Sequence, residues 1–238
     1  MTETPQGLLL LDKPSGVTSF DCVAVVRKKL GVQRVGHCGT LDPAARGLLL
    51  VLVGAATSSQ DSFLGLEKEY WFTAELGRRT STGDREGKMT ETKPWGHVTK
   101  DALEESLRRF TGDIQQVPPM YSALKHRGKP YYEYARKGLS VPRAPRTVTI
   151  RAFSLISFHP PAWEARVVCS RGTYVRTLVE DVSESLKTCG TLTDLVRERI
   201  GPYHKDQALT WPELQMISRE DLSPLLQPVL AREAAAHA

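Results

Sequence analysis

Residues 36–57, GHCGTLDPAARGLLLVLVGAAT, set the terms for what this chain can fold into. A compact loop built from Gly36, His37, Gly39 and Pro43 leads directly into an unbroken apolar run from Leu48 to Val53. An apolar run of that length, rich in Leu and Val and bounded by glycines, reads as a buried strand. The loop therefore stands on a rigid floor, and it carries one carboxylate, Asp42. By residue type alone Asp42 admits two readings. It is an active-site group held by a stiff scaffold, or a turn residue, because Asp before Pro is common where a side chain caps backbone N–H groups.

The remaining periodicities predict alternating strands and helices. Residues 7–11 read as a short buried strand and Asp12–Gly16 as a turn. Thr18 or Ser19 then caps a helix with Val23, Val26 and Leu30 inward, which Gly31 stops. Residues 58–62 form a polar stretch, 67–76 are strand-like, and 77–84 make a polar turn with Arg78 and Arg79. Thr99 to Phe110 is helical, with Leu103, Leu107 and Phe110 on one face. Strand-like segments follow at 147–158 and 162–169, then a turn, a helix carrying Leu178, Val182 and Leu186, and a helix-to-strand run over 191–203. Two weak helices start near Thr210 and Ser218, ahead of an alanine-rich end expected to fray. Neither an internal repeat nor a low-complexity linker is present, so the pattern predicts one domain with a basic insertion.

That insertion, residues 115–146, combines five prolines, four tyrosines and seven Lys or Arg with a single acid, Glu133. Its local excess of positive charge is larger than the net +5 of all 238 residues. Lys and Arg neutralise phosphates and aromatic faces stack on unpaired bases, so the mixture suits a structured RNA loop. A solvated, proline-stiffened surface loop has the same composition. A short helix-compatible segment runs from Tyr131 to Lys137.

Several chemistries are disfavoured. His37, His97 and His126 lack metal-ligand spacing, and Cys22, Cys38, Cys169 and Cys189 are scattered without a C-x-x-C pair. Neither phosphate-binding glycine patterns nor a G-x-S-x-G elbow occurs. The N-terminal MTETPQG has no apolar h-region, and no apolar run reaches transmembrane length. These features point to a reduced, cytoplasmic protein without metal or cofactor.

Four motifs in order, GHCGTLDPAARGLLLV, KEYWFTAELGRRTSTGDREG, VPPMYSALKHRGKPYYEYARKG and CSRGTYVRTLVEDV, resemble the bacterial tRNA pseudouridine-55 synthases of the TruB family. With the KPSGVTS turn, the similarity spans roughly residues 7–205. It implies an α+β pseudouridine synthase fold, with a central, mixed and mostly antiparallel sheet flanked by helices. A catalytic domain would occupy residues 1–205, with 115–146 as its RNA-binding insertion. Residues 206–238 would form a helical tail in place of the complete C-terminal RNA-binding domain of many relatives.

Carried over by position, Asp42 attacks the target uridine, and Tyr70 stacks on the flipped base and helps remove the C5 proton. Arg176 pairs with the aspartate, Tyr174 and Leu195 line the pocket, and His37 is associated with flipping the uridine out of the T-loop. Lys125, Arg127, Lys129, Tyr131, Arg136 and Lys137 are the RNA-contact candidates of the insertion. The implied protein is a cytoplasmic monomer acting on the T-arm of tRNA, with no membrane or protein partner. Alternatives are a synthase acting on another RNA and a tRNA-binding folding chaperone. Two positions depart from the family pattern: Arg46 stands where a small residue or Thr is usual, and Val196 replaces the first Arg of an L-R-R segment, leaving Arg197.

Overall fold

Leucine at four successive positions, Leu8–Leu11, is buried throughout, which requires apolar cover on both faces of the strand that holds them. The computed structural model describes residues 4–229; the alanine-rich end lies outside them. In chain order the elements begin with β1 (Gly7–Lys13), α1 (Ser19–Leu30), β2 (Val35–Cys38), β3 (Arg46–Val53), α2 (Gln60–Gly65), β4 (Lys68–Leu76), β5 (Arg78–Thr80) and β6 (Met89–Thr92). They continue through α3 (Lys100–Arg109), β7 (Gly112–Gln116), β8 (Lys125–His126), β9 (Lys129–Pro130), α4 (Tyr131–Arg136), β10 (Arg146–His159), β11 (Ala162–Cys169) and α5 (Val175–Ser185). The last are β12 (Gly190–Ile200), β13 (Tyr203–His204), β14 (Leu209–Thr210), α6 (Trp211–Met216) and α7 (Arg219–Leu222). Among the described residues, no helix is long and apolar enough to cross a membrane.

The chain divides into two units, residues 1–70 with 195–238, and residues 71–194. In the first, β3 pairs antiparallel with β1, Leu10 opposite Leu50, and with β2, Cys38 opposite Leu50. The end of β12 runs parallel to β3, and β14 runs parallel to β1. Alternation then sends the leucines two ways. Leu9, Leu11, Leu49, Val51 and Val53 pack with Cys22, Val23, Val26 and Leu30 of α1, Leu214 of α6 and Leu222 of α7. Leu8, Leu10, Leu48, Leu50 and Leu52 pack with Cys38, Phe63 of α2 and Ile200. Each face of the β1–β3 pair thus has its own apolar layer.

Residue chemistry at the helix ends explains where they fall. Thr18 and Asp21 form a reciprocal capping box at the start of α1, and Gly31 closes it in the left-handed conformation. Thr210 and Ser218 cap α6 and α7.

In the second unit, β10 pairs antiparallel with β11 and with β7. The β4 residues from Trp71 onward lie beside β11. Phe72 packs against Phe153 at 6.1 Å and edge-on to Trp163 at 5.3 Å, and Trp163 is fully buried. Leu103 and Leu107 of α3, and Leu178, Val179 and Val182 of α5, are buried. Gln116 lies opposite Arg146 and Gln115 opposite Thr147, so the basic segment leaves and re-enters through paired strands.

The 191–203 run differs from expectation. Its first part is not helical, because residues 190–200 form a single strand. Leu192, Leu195 and Val196 mimic helical spacing, but Thr191, Thr193, Val196 and Ile200 are β-branched and suit an extended backbone.

Where β12 meets β3, Arg197 lies opposite Gly47. Gly47 has φ +106°, and a Cβ there would meet the Arg197 amide nitrogen at 2.8 Å. Gly47→Ala combines a left-handed backbone with a backbone collision, and is expected to lower unfolding free energy by at least about 2 kcal/mol in denaturant titration.

Candidate active site

The Asp42 loop is the connection of a hairpin. The chain leaves β2 at Cys38, passes through residues 39–45 and returns along β3. Behind it the floor is solid, with every residue from Leu48 to Val53 buried. Ala45 N–H donates to the Asp42 carbonyl at 3.1 Å, closing a turn around Pro43. Asp42 itself is half-buried.

The rest of the loop backbone is held from outside. Leu41 N–H donates to Ser19 Oγ at 3.0 Å, and Ser19 Oγ donates back to the Leu41 carbonyl at 3.2 Å. Gly16 N–H donates to the Pro43 carbonyl at 2.8 Å, and Ser15 Oγ to the Ala44 carbonyl at 2.9 Å. Lys13 has no exposed surface; its Nζ reaches the carbonyls of Pro43 (3.3 Å), Pro14 (3.0 Å) and Val17 (2.6 Å). Thus the residues on either side of Asp42 are fixed by the turn that precedes α1. Thr18 takes the helix cap, leaving Ser19 for Leu41. By residue type Thr18 and Ser19 are equivalent caps and Lys13 belongs to a turn; in the fold each has a separate task.

His37 lies on β2, with Val51 as its register partner. Its Nδ1 is buried, with no hydrogen-bond partner among the described residues. Burial first, and the positive charge of Arg197 second, hold its pKa below the usual 6.5, which favours the neutral ring. Burial also raises the neighbouring Cys38 thiol to about 12, so it is not a nucleophile near neutral pH. Among the described residues, no cluster of His, Cys, Asp or Glu is arranged to hold a metal ion.

Tyr70 and Leu195 are both buried, on β4 and β12 of the first unit. Next to Tyr70, Glu69 pairs with Arg199 at 3.1 Å, and Lys68 Nζ donates to the Leu64 and Leu66 carbonyls at 2.7 and 2.6 Å.

Tyr174 and Arg176 begin α5 in the second unit. Buried Gln116 brackets the Tyr174 peptide: its Oε1 accepts from Tyr174 N–H at 2.8 Å and its Nε2 donates to the Tyr174 carbonyl at 3.2 Å. Arg176 is 3% exposed; it donates to the Thr82 and Tyr121 carbonyls, each at 2.8 Å. Asp84 lies 3.9 Å from its Nε and is itself held by Thr82 Oγ1 and Glu86 N–H. Gln116 and Asp84 were not anticipated as supports, because each acts across a sequence gap that no local pattern reveals.

The basic segment has more structure than its composition predicts. Strands β8 and β9 form a hairpin whose turn residues, Arg127 (φ +49°) and Gly128 (φ +81°), are both left-handed, as a tight primed turn requires. Tyr134 Oη donates to the His126 carbonyl at 3.0 Å, fastening α4 to this hairpin. Lys125, Arg127, Lys129, Arg136 and Lys137 are exposed, and the Arg136 guanidinium stacks over the Tyr132 ring at 5.3 Å. Tyr131 is buried, so its ring is a packing residue in this conformation.

Comparison with known proteins agrees with this architecture. The family model described as TruB family pseudouridylate synthase (N terminal domain) matches residues 27–175. A tRNA pseudouridine synthase B of Aromatoleum aromaticum is 48% identical over 223 residues, covering 94% of this chain and 72% of that protein. A protein of the same name from Endomicrobium trichonymphae is 44% identical over 207 residues, 87% of this chain and 90% of that one. A chain of the Cbf5–Nop10–Gar1 complex superposes with a TM-score of 0.71 at 27% identity, over 97% of this chain. This chain spans 62% of the length of that one.

The fold, with its mostly antiparallel strands and flanking helices, is that of the pseudouridine synthases. The chain belongs to the TruB family of pseudouridylate synthases.

The His37 environment has a measurable consequence. Its ring-proton titration by NMR is expected to have a midpoint below 6.5. A pKa depressed by folding means that the unfolded chain binds the proton more tightly, so this contribution to stability is lost as pH falls through the 6–7 region and below. Replacing His37 by Gln should flatten that part of the stability–pH profile.

Proposed function

We propose that this protein is a tRNA pseudouridine synthase that converts the T-loop uridine at tRNA position 55 to pseudouridine, with Asp42 as the attacking group. The observation that carries the reading is the Asp42 loop, whose neighbouring peptide groups are tied to Ser15, Gly16, Ser19 and Lys13 on a buried hairpin. The names of its relatives, tRNA pseudouridine synthase B, support the substrate class.

The reaction breaks the N1–C1′ bond, turns the uracil and joins C5 to C1′. The C5 proton leaves and N1 gains one, so no atoms are lost and no external energy source or cofactor is required. One carboxylate suffices. Most glycoside hydrolases use two because water must also be activated or its addition controlled. In this reading Asp42 attacks, and Tyr70 stacks on the uracil and helps remove the C5 proton. Arg176 is the cation assigned to the aspartate, Tyr174 and Leu195 give apolar walls, and neutral His37 assists extrusion of the target.

Base flipping costs a few kcal/mol, which contacts to the surrounding RNA must offset. The exposed Lys125, Arg127, Lys129, Arg136 and Lys137 suit phosphates of the T-arm, and we assign the 115–146 segment as a lid over the tRNA. The protein acts as a monomer in the cytoplasm, where its four buried cysteines stay reduced.

The test is tritium release from tRNA transcript labelled at uridine C5. Wild type is expected to release one tritium per tRNA, and Asp42→Asn to lose at least about 10³-fold in rate while still binding tRNA. Binding without release by either protein overturns the enzyme reading in favour of a folding chaperone. Limited proteolysis checks the lid: cleavage between residues 123 and 141 should slow when tRNA is added, and unchanged cleavage counts against it.

A further inference from the structure

We propose that Arg197 is a positioning residue for the Asp42 loop, a single buried guanidinium that ties together the points where the loop leaves and rejoins the hairpin. The proposal rests on the reading of Asp42 as the attacking group. Arg197 is 1% exposed on β12. Its Nη2 donates to the Gly39 carbonyl at 3.1 Å, and its Nε donates to the Leu48 carbonyl at 2.7 Å. Gly39 and Leu48 bracket the residues that include Asp42.

The contacts of the loop divide the task. Ser19, Gly16, Ser15 and Lys13 hold its middle, at Leu41, Pro43 and Ala44. Arg197 bridges its two sides, from Gly39 at the start of the loop to Leu48 on β3. Gly39 has φ +90°, and a Cβ there would lie 3.5 Å from Arg197 Nη1, so the backbone turns directly over the guanidinium.

A buried cation is costly and is usually placed against a carboxylate. Among the described residues none forms an ion pair with Arg197, and its Nε and Nη2 donate instead to main-chain carbonyls. The planar, rigid fork of Arg fixes the separation of two acceptors, whereas a Lys ammonium on a flexible stem does not. This residue type therefore matches a spacing task. The same charge also helps hold His37, just before the loop, in its neutral form.

The experiment measures single-turnover tritium release at saturating tRNA for wild type, Arg197→Met, Arg197→Lys and Leu214→Ala, a destabilised control in the α6 core. Arg197→Met is expected to slow the step about 100-fold, the cost of a displacement of roughly 1 Å, with tRNA affinity within about threefold of wild type. Arg197→Lys should recover about tenfold of that loss by retaining one carbonyl contact, and folded Leu214→Ala should react within about twofold of wild type. The proposal is overturned if both Arg197 variants react at the wild-type rate, or if their losses only track the fraction unfolded. Should Arg197→Met fail to fold, Arg197→Lys decides alone: about tenfold slowing in folded protein supports the proposal and a wild-type rate overturns it. Should wild type release no tritium, the functional reading fails separately, and amide exchange tests the clamp. Exchange at Leu41 and Ala45 is then expected to accelerate about tenfold in Arg197→Lys relative to β1 amides, and equal exchange rejects the clamp.

Discussion

The first unit depends on the satisfaction of carbonyl groups in the loop between β2 and β3. A loop folded down onto an apolar floor takes its peptide groups away from water, and each needs another partner. The partners come from three places in the chain. The end of β1 supplies Lys13, the turn into α1 and its first residue supply Ser15, Gly16 and Ser19, and β12 supplies Arg197. Two of these are cations with essentially no exposed surface. Long side chains with multiple donors are economical here, since one buried group serves two or three carbonyls. The placement of β1, α1 and β12 beside the hairpin is therefore tied to the loop as well as to the leucine layers.

This arrangement bears on chemistry through preorganisation. A reactive carboxylate on a mobile loop must be ordered for each reaction cycle, and that entropy adds to the barrier. With the peptides on both sides of Asp42 already fixed, the ordering occurs once, during folding. The second unit follows the same logic around buried Arg176, which lies beside Asp84 and donates to two carbonyls. Each unit thus holds a polar side chain in place mainly through main-chain groups, Asp42 by way of its neighbouring peptides and Arg176 by its own hydrogen bonds.

Much of the fold was legible because it follows local periodicity. The Leu48–Val53 run, the α1 spacing with Gly31 as its stop, and the caps at Thr99, Thr210 and Ser218 all declare themselves within a few residues. Strands β2 and β7 were too short for a pattern, and the β8–β9 turn is Arg-Gly rather than the familiar Asn-Gly. In β12, the spacing of Leu192, Leu195 and Val196 imitated a helix. The resemblance supplied Asp42, Tyr70 and Arg176, whose residue types alone admit ordinary structural roles. Hidden altogether were the supports. Lys13 acts on Pro43 thirty residues away and Arg197 on Gly39 at a separation of 158, and charged residues are ordinarily expected at the surface.

One consequence concerns which positions can vary. Lys13, Ser15, Arg176 and Arg197 each donate to main-chain carbonyls, and a carbonyl is supplied by every amino acid. The receiving positions, such as Ala44, Leu48, Thr82 and Tyr121, are therefore constrained by the path of the backbone and not, through these bonds, by side-chain identity. The donating positions have no such latitude, because reach, charge and fork geometry belong to particular side chains. Through these bonds the constraint on sequence is lopsided: side-chain identity is immaterial where a bond is received and decisive where it is given.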